Sequence, residues 1–277
     1  MSKYLLSIVL IALLILSLSC TQFNSNAQED VVNQDYNTYV EESGMLVNSL
    51  NGEDVGFLTT DKFAIKGTFY QPESANDKKA PVIILLPMLG KTRETYKPMI
   101  PYLLKNGLNV LAIDFRGHGE SIYMDDDTQK DYKQFTNQDW QNLPLDVDAA
   151  IQFLSEEEYV DANKIALIGA SIGANTAIIS NSKHPDKVKL TVALSPGLDY
   201  KGLKPGDYIS SIKNNIDLVA AKDDSYSCES VEKLSKEAYK AFVIIFPEGG
   251  HGTDLFKSHP DLIVNFSNSI AKELKKN

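Results

Sequence analysis

The sequence predicts an α/β domain, a mostly parallel sheet of eight strands with helices on both faces. Three observations carry that expectation. Strand-like and helix-like segments alternate from about residue 80 to the end. The run Pro81-Val82-Ile83-Ile84-Leu85-Leu86 is apolar at every position, as a strand buried on both faces must be. The pentapeptide Gly169-Ala170-Ser171-Ile172-Gly173 joins the apolar run Ile165–Ile168 to a helical stretch of small residues. Such a junction is too tight for a Cβ on either side of the serine, and it throws the serine hydroxyl out above the sheet.

Taken in order, Val55–Leu58 and Phe63–Tyr70 read as two antiparallel strands joined at Thr60-Asp61-Lys62. The Pro81 strand follows a polar loop. A helix is expected from about Glu94 to Asn106, with Tyr96, Ile100, Leu103 and Leu104 on one side and Gly107 as its stop. Val110–Ile113 is the next strand, and residues 121–143 read as a long acidic and polar loop. A helix beginning near Pro144 places Val147, Ala150, Ile151 and Leu154 at helical spacing. After Ile165–Ile168 and the pentapeptide come strands at Leu190–Leu194 and Ile216–Ala220, a helix carrying Val231, Leu234 and Ala238, and a strand at Phe242–Phe246. A final helix places Ile263, Phe266, Ile270 and Leu274 on one face. In such a sheet the site lies at the carboxyl ends of the strands.

At those ends the chain offers Ser, Asp and His in that order. Ser171 is the candidate nucleophile. Of the four histidines, His251 lies in Gly249-Gly250-His251-Gly252, just past the last strand, and is the candidate base. His184 and His259 precede prolines and read as surface residues. The acid should follow the Ile216 strand, where Asp223 and Asp224 both qualify; Asp224 is preferred, with Asp223 as a loop carboxylate. Asp217 lies at the wrong end of that strand. A tetrahedral intermediate needs two N–H donors. One is expected from Ile172, at the start of the helix, and the other from Leu89 in Pro87-Met88-Leu89-Gly90, with Met88 as second choice. Pro87 has no N–H to give.

The amino terminus reads as a targeting segment. Lys3 supplies a short positive region and Leu5 to Leu18 carries no charge. Cys20 follows Ser17-Leu18-Ser19, which resembles a bacterial lipoprotein signal. That resemblance implies removal of residues 1–19, lipidation (a palmitate-type acyl group) at Cys20 and anchoring in the cell envelope, at the outer membrane or cell surface. Residues 20–47, rich in Asn, Gln, Asp and Ser, read as a flexible tether, and residues 48–277 as one domain. Loss of residues 1–19 removes one Lys and no acid, which moves the net charge from −10 to −11. An acidic chain of this kind is a poor partner for nucleic acid. With Cys20 lipidated, Cys228 has no intramolecular partner. The run Asp125-Asp126-Asp127 lacks the spacing of a cation loop and reads as solvated surface, so neither metal nor cofactor is expected.

From about residue 55 onward the chain resembles the α/β-hydrolase superfamily. The resemblance rests on Leu86-Pro87-Met88-Leu89-Gly90, Asp114-Phe115-Arg116-Gly117-His118-Gly119-Glu120-Ser121, the Ser171 pentapeptide, Ala221-Lys222-Asp223-Asp224 and Gly249-Gly250-His251-Gly252. Within the superfamily it is similar to the dienelactone-hydrolase-like and serine-aminopeptidase-like esterase branches. It departs from them at Pro87-Met88, where His-Gly is commonest, and at Ala221, where glycine is usual. Ser171 replaces the cysteine of true dienelactone hydrolases and the aspartate of haloalkane dehalogenases. The Gly117-His118-Gly119 segment reads as a turn that braces the serine turn. The resemblance implies a carboxylic-ester hydrolase working through an acyl-enzyme, on a small ester or one displayed on a surface. A prolyl-aminopeptidase-type peptidase and a non-catalytic binding scaffold are the competing readings. The gap Ser195–Asn215 has room for about one short helix near Asp207–Ile212, hence a minimal cap. Tyr123, Tyr132, Phe135 and Trp140 either wall the site or pack.

Overall fold

The computed structural model describes residues 50–73 and 79–276. The targeting segment, Cys20 and the tether lie outside the described residues. Strands β1 (Gly52–Leu58), β2 (Phe63–Tyr70), β3 (Ala80–Leu86), β4 (Asn109–Ile113), β5 (Tyr123–Met124), β6 (Val160–Ala170), β7 (Val188–Leu194), β8 (Asn215–Ala221) and β9 (Ala241–Phe246) form one sheet. Its main path runs β1-β2-β4-β3-β6-β7-β8-β9. Pairing is antiparallel from β1 to β4 and parallel from there on. The main path has the expected eight strands. A ninth, the two-residue β5, pairs with the start of β2 inside the segment that reads as loop.

Among the described residues eight α-helices flank the sheet: α1 (Ile100–Lys105), α2 (Asn137–Gln141), α3 (Leu143–Glu156), α4 (Ile172–Lys183), α5 (Gly206–Ile209), α6 (Ser225–Glu237), α7 (Leu255–Ser258) and α8 (Asp261–Leu274). Successive side chains of a strand point to opposite faces, so each apolar strand feeds two cores. Ile83, Leu85, Ala166 and Ile168 face α1 and α8, where Ile263, Phe266, Ile270 and Leu274 are buried as their spacing predicts. Val82, Ile84, Leu86, Ile165 and Leu167 face α3 and α4. This is the α/β-hydrolase fold, a mostly parallel sheet flanked by helices.

The expected helix 94–106 is broken. Residues Arg93–Tyr96 form a 3₁₀ turn and the α-helix starts only at Ile100. Pro98 and Pro101 have no N–H, so an unbroken i→i−4 ladder across them is impossible. The chain uses tighter bonds instead, such as Lys97 N–H to Glu94 O at 3.1 Å and Met99 N–H to Tyr96 O at 2.9 Å. The segment 121–143 is likewise more ordered than its polarity predicts. Thr136 and Asp139 form a reciprocal capping box that starts α2.

A buried ion cluster ties the β1–β2 turn to the far end of β4. Arg116 is 1% exposed and reaches Asp61 through two bonds, at 2.7 and 3.0 Å, and Asp146 of α3 at 2.7 Å. Burial pushes the Asp61 carboxyl up, but hydrogen bonds from Arg116 and Thr59 outweigh it and hold the group at about 2. Next to it, Asp114 accepts from the Arg93 N–H at 2.8 Å, from its guanidinium at 2.6 Å and from the Glu120 N–H at 3.1 Å. Gly119 must be glycine, because φ is +52° and a Cβ would sit 2.3 Å from Asp114 Oδ2. His118 is 3% exposed and stacks on Tyr132 at 4.2 Å, and burial lowers its pKa. The segment 114–121 therefore grips the β1–β2 turn, α3 and the start of the 93–96 turn.

Asp217 sits at the opposite end of the sheet, where burial first and the charge of Glu273 second push its carboxyl up to about 6. Its pKa is thus higher folded than unfolded. The folded state resists ionisation, so stability falls as pH rises through the window from about 4 to 6 and stays low above it. Asp217→Asn should therefore raise stability at pH 7.5 by about 1–3 kcal/mol and change little at pH 3.5, read from urea melts at both pH values.

Candidate active site

Three carboxyl strand ends converge above the sheet. Ser171 follows β6 and caps α4; its backbone sits at φ 56°, ψ −122°, a conformation that costs a non-glycine residue on the order of 1–3 kcal/mol. The flanking glycines permit it. A Cβ at Gly169 would lie 2.1 Å from the Gly173 carbonyl oxygen, and one at Gly173 would lie 2.4 Å from Leu86 O and 2.6 Å from Pro87 O. The first turn of α4 therefore presses directly against the end of β3. The Ser171 N–H bonds to Leu194 O at 2.8 Å, which fixes the turn to β7 as well.

Asp224 follows β8 and caps α6, accepting from the Ser227 N–H at 3.4 Å. His251 follows β9. Its Nδ1 lies 2.6 Å from Asp224 Oδ2 and its Nε2 lies 2.7 Å from Ser171 Oγ. With a proton on Nδ1 donated to the carboxylate, Nε2 is left to accept from the serine hydroxyl. The structure thus brings together Ser171, His251 and Asp224 in one line of hydrogen bonds. Asp223 points elsewhere and accepts the Gly249 and Gly250 N–H groups at 3.1 Å each, closing the turn that carries the histidine. Those two backbone donors hold its carboxyl below the usual range.

Two residues that the sequence reading passed over also shape the site. Ser195, buried after β7 with φ 52°, accepts the Gly252 N–H at 2.8 Å and so anchors the histidine loop from below. Tyr200 stands edge-on to the His251 ring at 6.2 Å, with its hydroxyl 3.1 Å from Ser227 Oγ. Burial pushes its phenol up, and the hydroxyl also donates to Ser195 O at 3.4 Å. Nothing in the local sequence marks either residue, because both act through contacts between distant strand ends. Asn175 is a third: its side-chain amide donates to Gly197 O and Leu203 O and accepts from the Gly197 N–H, tying α4 to the segment after β7.

Ile172 is the first residue of α4, where an N–H has no partner within the helix and meets the positive end of the dipole. Leu89 is 40% exposed at the mouth, whereas Met88 is 8% exposed and turned inward. The Met88 sulfur fills the space a Cβ on Gly252 would need, at 2.2 Å. This packing explains how Met88 takes the place of a smaller residue: it braces the histidine loop. The neighbouring Gly90 has φ +72° and lies against the Tyr132 hydroxyl. Tyr132 and Trp140 pack on His118, and Phe135 packs on Trp140 with centroids 5.0 Å apart. They are therefore packed side chains, with one hydroxyl reaching the loop at the mouth. Tyr123 lies apart on β5 and is 46% exposed.

The segment between β7 and β8 holds a single four-residue helix, α5, so the cap is minimal. His184 is half-buried and meets Asp148 at 2.8 Å; His259 stacks on Phe246 at 4.0 Å. In the acidic run, Asp125 pairs with Lys62 and Asp126 accepts from the Thr128 N–H. Among the described residues, no three His, Cys, Asp or Glu side chains come together as a metal site.

Residues 77–222 match the family described as serine aminopeptidase, S33. The match includes Ser171 and stops short of Asp224 and His251. The serine hydrolase BPHL of Mus musculus is 26% identical over 135 residues, 49% of this chain and 42% of that protein. An abhydrolase domain-containing protein of Schizosaccharomyces pombe is 28% identical over 163 residues, 59% of this chain and 54% of that protein. The chain thus spans about half the length of these relatives. Among solved structures, the esterase Pf2001 of Pyrococcus furiosus superposes with a TM-score of 0.64 at 21% identity, covering 81% of this chain and 90% of that one. Est1E of Butyrivibrio proteoclasticus, bound to ferulic acid, gives 0.65 at 15% identity, covering 79% and 99%. Both show the likeness of fold.

The strain at Ser171 makes a checkable statement. Ser171→Gly and Ser171→Ala both remove the hydroxyl, but only glycine relaxes the backbone. The glycine variant should be about 1 kcal/mol more stable than the alanine variant by denaturant melts. Gly173→Ala, which drives a methyl into two carbonyl oxygens, should lower stability by about 3 kcal/mol or more.

Proposed function

The chain belongs to the serine aminopeptidase S33 family of α/β-hydrolases, and on that premise we propose that it is a serine hydrolase acting on carboxylic esters. The observation that carries the reading is the hydrogen-bond line from Ser171 Oγ to His251 Nε2 and from Nδ1 to Asp224, at 2.7 and 2.6 Å. Ser171 attacks the ester carbonyl while His251 takes its proton. The negative oxygen that forms is held by the Ile172 and Leu89 N–H groups. His251⁺, stabilised by Asp224, gives the proton to the leaving alcohol, and an acyl-enzyme remains on Ser171. Water, deprotonated by His251, then releases the acid. The minimal cap supports substrates with a short acyl group, or an ester displayed on a larger molecule. The family's description favours a second reading, cleavage of aminoacyl amides by the same three residues.

A fluorophosphonate probe should label Ser171 in the parent and fail to label Ser171→Ala and His251→Ala, as read by mass spectrometry. Asp224→Asn should lower kcat for p-nitrophenyl acetate by about 10³–10⁴-fold, and Asp223→Asn far less. Parallel assays on aminoacyl amides separate the two readings by which substrate has the higher kcat/KM. An unlabelled, folded parent would leave a binding scaffold in their place.

The proposal extends to a lipid anchor at Cys20 and a place in the bacterial envelope, supported by the amino-terminal sequence. Cells fed an alkyne fatty acid should label the parent protein and leave Cys20→Ser unlabelled.

A further inference from the structure

The two edges of the sheet differ. The edge strand β1 carries Glu53 and Asp54 and the glycines Gly52 and Gly56, with most of its residues exposed. Charges and glycines on an edge discourage pairing with another chain. The opposite edge, β9, reads Ala241-Phe242-Val243-Ile244-Ile245-Phe246, with no charge, proline or bulge, and none of the six side chains is fully buried. Phe242 is 65% exposed and Val243 39%. Beside the strand, Phe242, Ile244, Leu262 and Phe266 line an open groove of about 600 Å³ between β9 and α8.

Among the described residues no strand pairs with the outer side of β9, and that side is defined. The Ile216 N–H donates to Lys240 O and the Lys222 N–H to Phe246 O. Carbonyls at even positions thus face β8, and by alternation the N–H and C=O groups of Ala241, Val243 and Ile245 face outward. We propose that a second copy of this chain pairs with β9 across a twofold axis at Val243, joining the two sheets antiparallel, edge to edge. In that register Ala241 faces Ile245 of the second copy, Val243 faces Val243, and Ile245 faces Ala241. Each such pair exchanges two backbone bonds, so every outward group of the strand is satisfied.

The charges at the ends of the strand favour the same partner. Lys240 precedes β9 and Glu248 follows it. Antiparallel pairing brings the strand end that carries Lys240 next to the end of the second copy that carries Glu248, and the twofold axis makes this approach twice. Parallel pairing would set Lys240 against Lys240. Pro247, which follows the strand directly, has no N–H and ends the ladder there. Phe242 packs beside Ile244 of the second copy, over the groove that both copies leave open.

The full chain, held in mild detergent, should sediment as a dimer at micromolar concentration. Val243→Pro removes an outward donor and leaves the bonds to β8 intact, and Val243→Lys places a charge on the axis. Both should sediment as monomers while keeping the melting temperature and probe labelling of a folded protein. Lys240→Glu should weaken the dimer, and Lys240→Glu combined with Glu248→Lys should restore it. A parent that is monomeric at 100 μM, a dimer that persists in both Val243 variants, or a double swap that fails to restore what the single change lost would each overturn the proposal. A monomeric parent whose amides at 241, 243 and 245 resist hydrogen exchange would assign the edge to the chain's own amino-terminal segment instead.

Discussion

The first turn of α4 lies so close to the end of β3 that no Cβ fits at Gly173, and so close to the end of β6 that none fits at Gly169, and the rest of the site depends on that approach. It holds Ser171 in a backbone conformation that an ordinary turn would not adopt. It also brings the helix N-terminus beside the Pro87 carbonyl at the start of the Pro87–Gly90 loop. Packing alone would not keep the strained residue in place. The bond from the Ser171 N–H to Leu194 O ties it to the next strand over, and the two core layers press the helix onto the sheet.

The histidine loop is held by a different kind of contact. Asp223 accepts two of its N–H groups, Ser195 a third, and the Met88 sulfur occupies the space left at Gly252. Three strands, β3, β7 and β8, therefore position one imidazole that follows a fourth. This division of labour explains why adjacent aspartates have unlike surroundings: Asp224 meets the ring and Asp223 meets the backbone of the loop. The cluster of Arg116, Asp61 and Asp146 does comparable work farther out, where a buried guanidinium with two carboxylates links the first turn of the sheet to α3. Breaking such a cluster costs more than making it contributes, because the remaining charges stay buried.

Much of the fold was legible because the strands obey simple rules. β3, β7 and β8 are apolar at nearly every position, and α8 shows its buried face at Ile263, Phe266, Ile270 and Leu274. The helix expected at 94–106 failed where Pro98 and Pro101 interrupt the backbone ladder, although the apolar spacing of Tyr96, Ile100 and Leu103 was read correctly as a buried face. The ordered structure in 121–143 was missed because its stability comes from a capping box and from the stacking of Tyr132 and Trp140 around His118. Composition does not register such contacts.

By itself the sequence determined the alternation of elements, the serine turn and the order in which Ser171, Asp224 and His251 follow along the chain. These are local properties: periodicity, glycine at a steric pinch, and a residue's place after a strand. Tertiary structure alone decided which aspartate meets the histidine, that Ser195 and Tyr200 belong to the site, and that among the described residues the apolar strand β9 ends the sheet. Each of those depends on distances between segments far apart in the chain. Closing such distances is a matter of packing the whole sheet, which no short stretch of residues encodes.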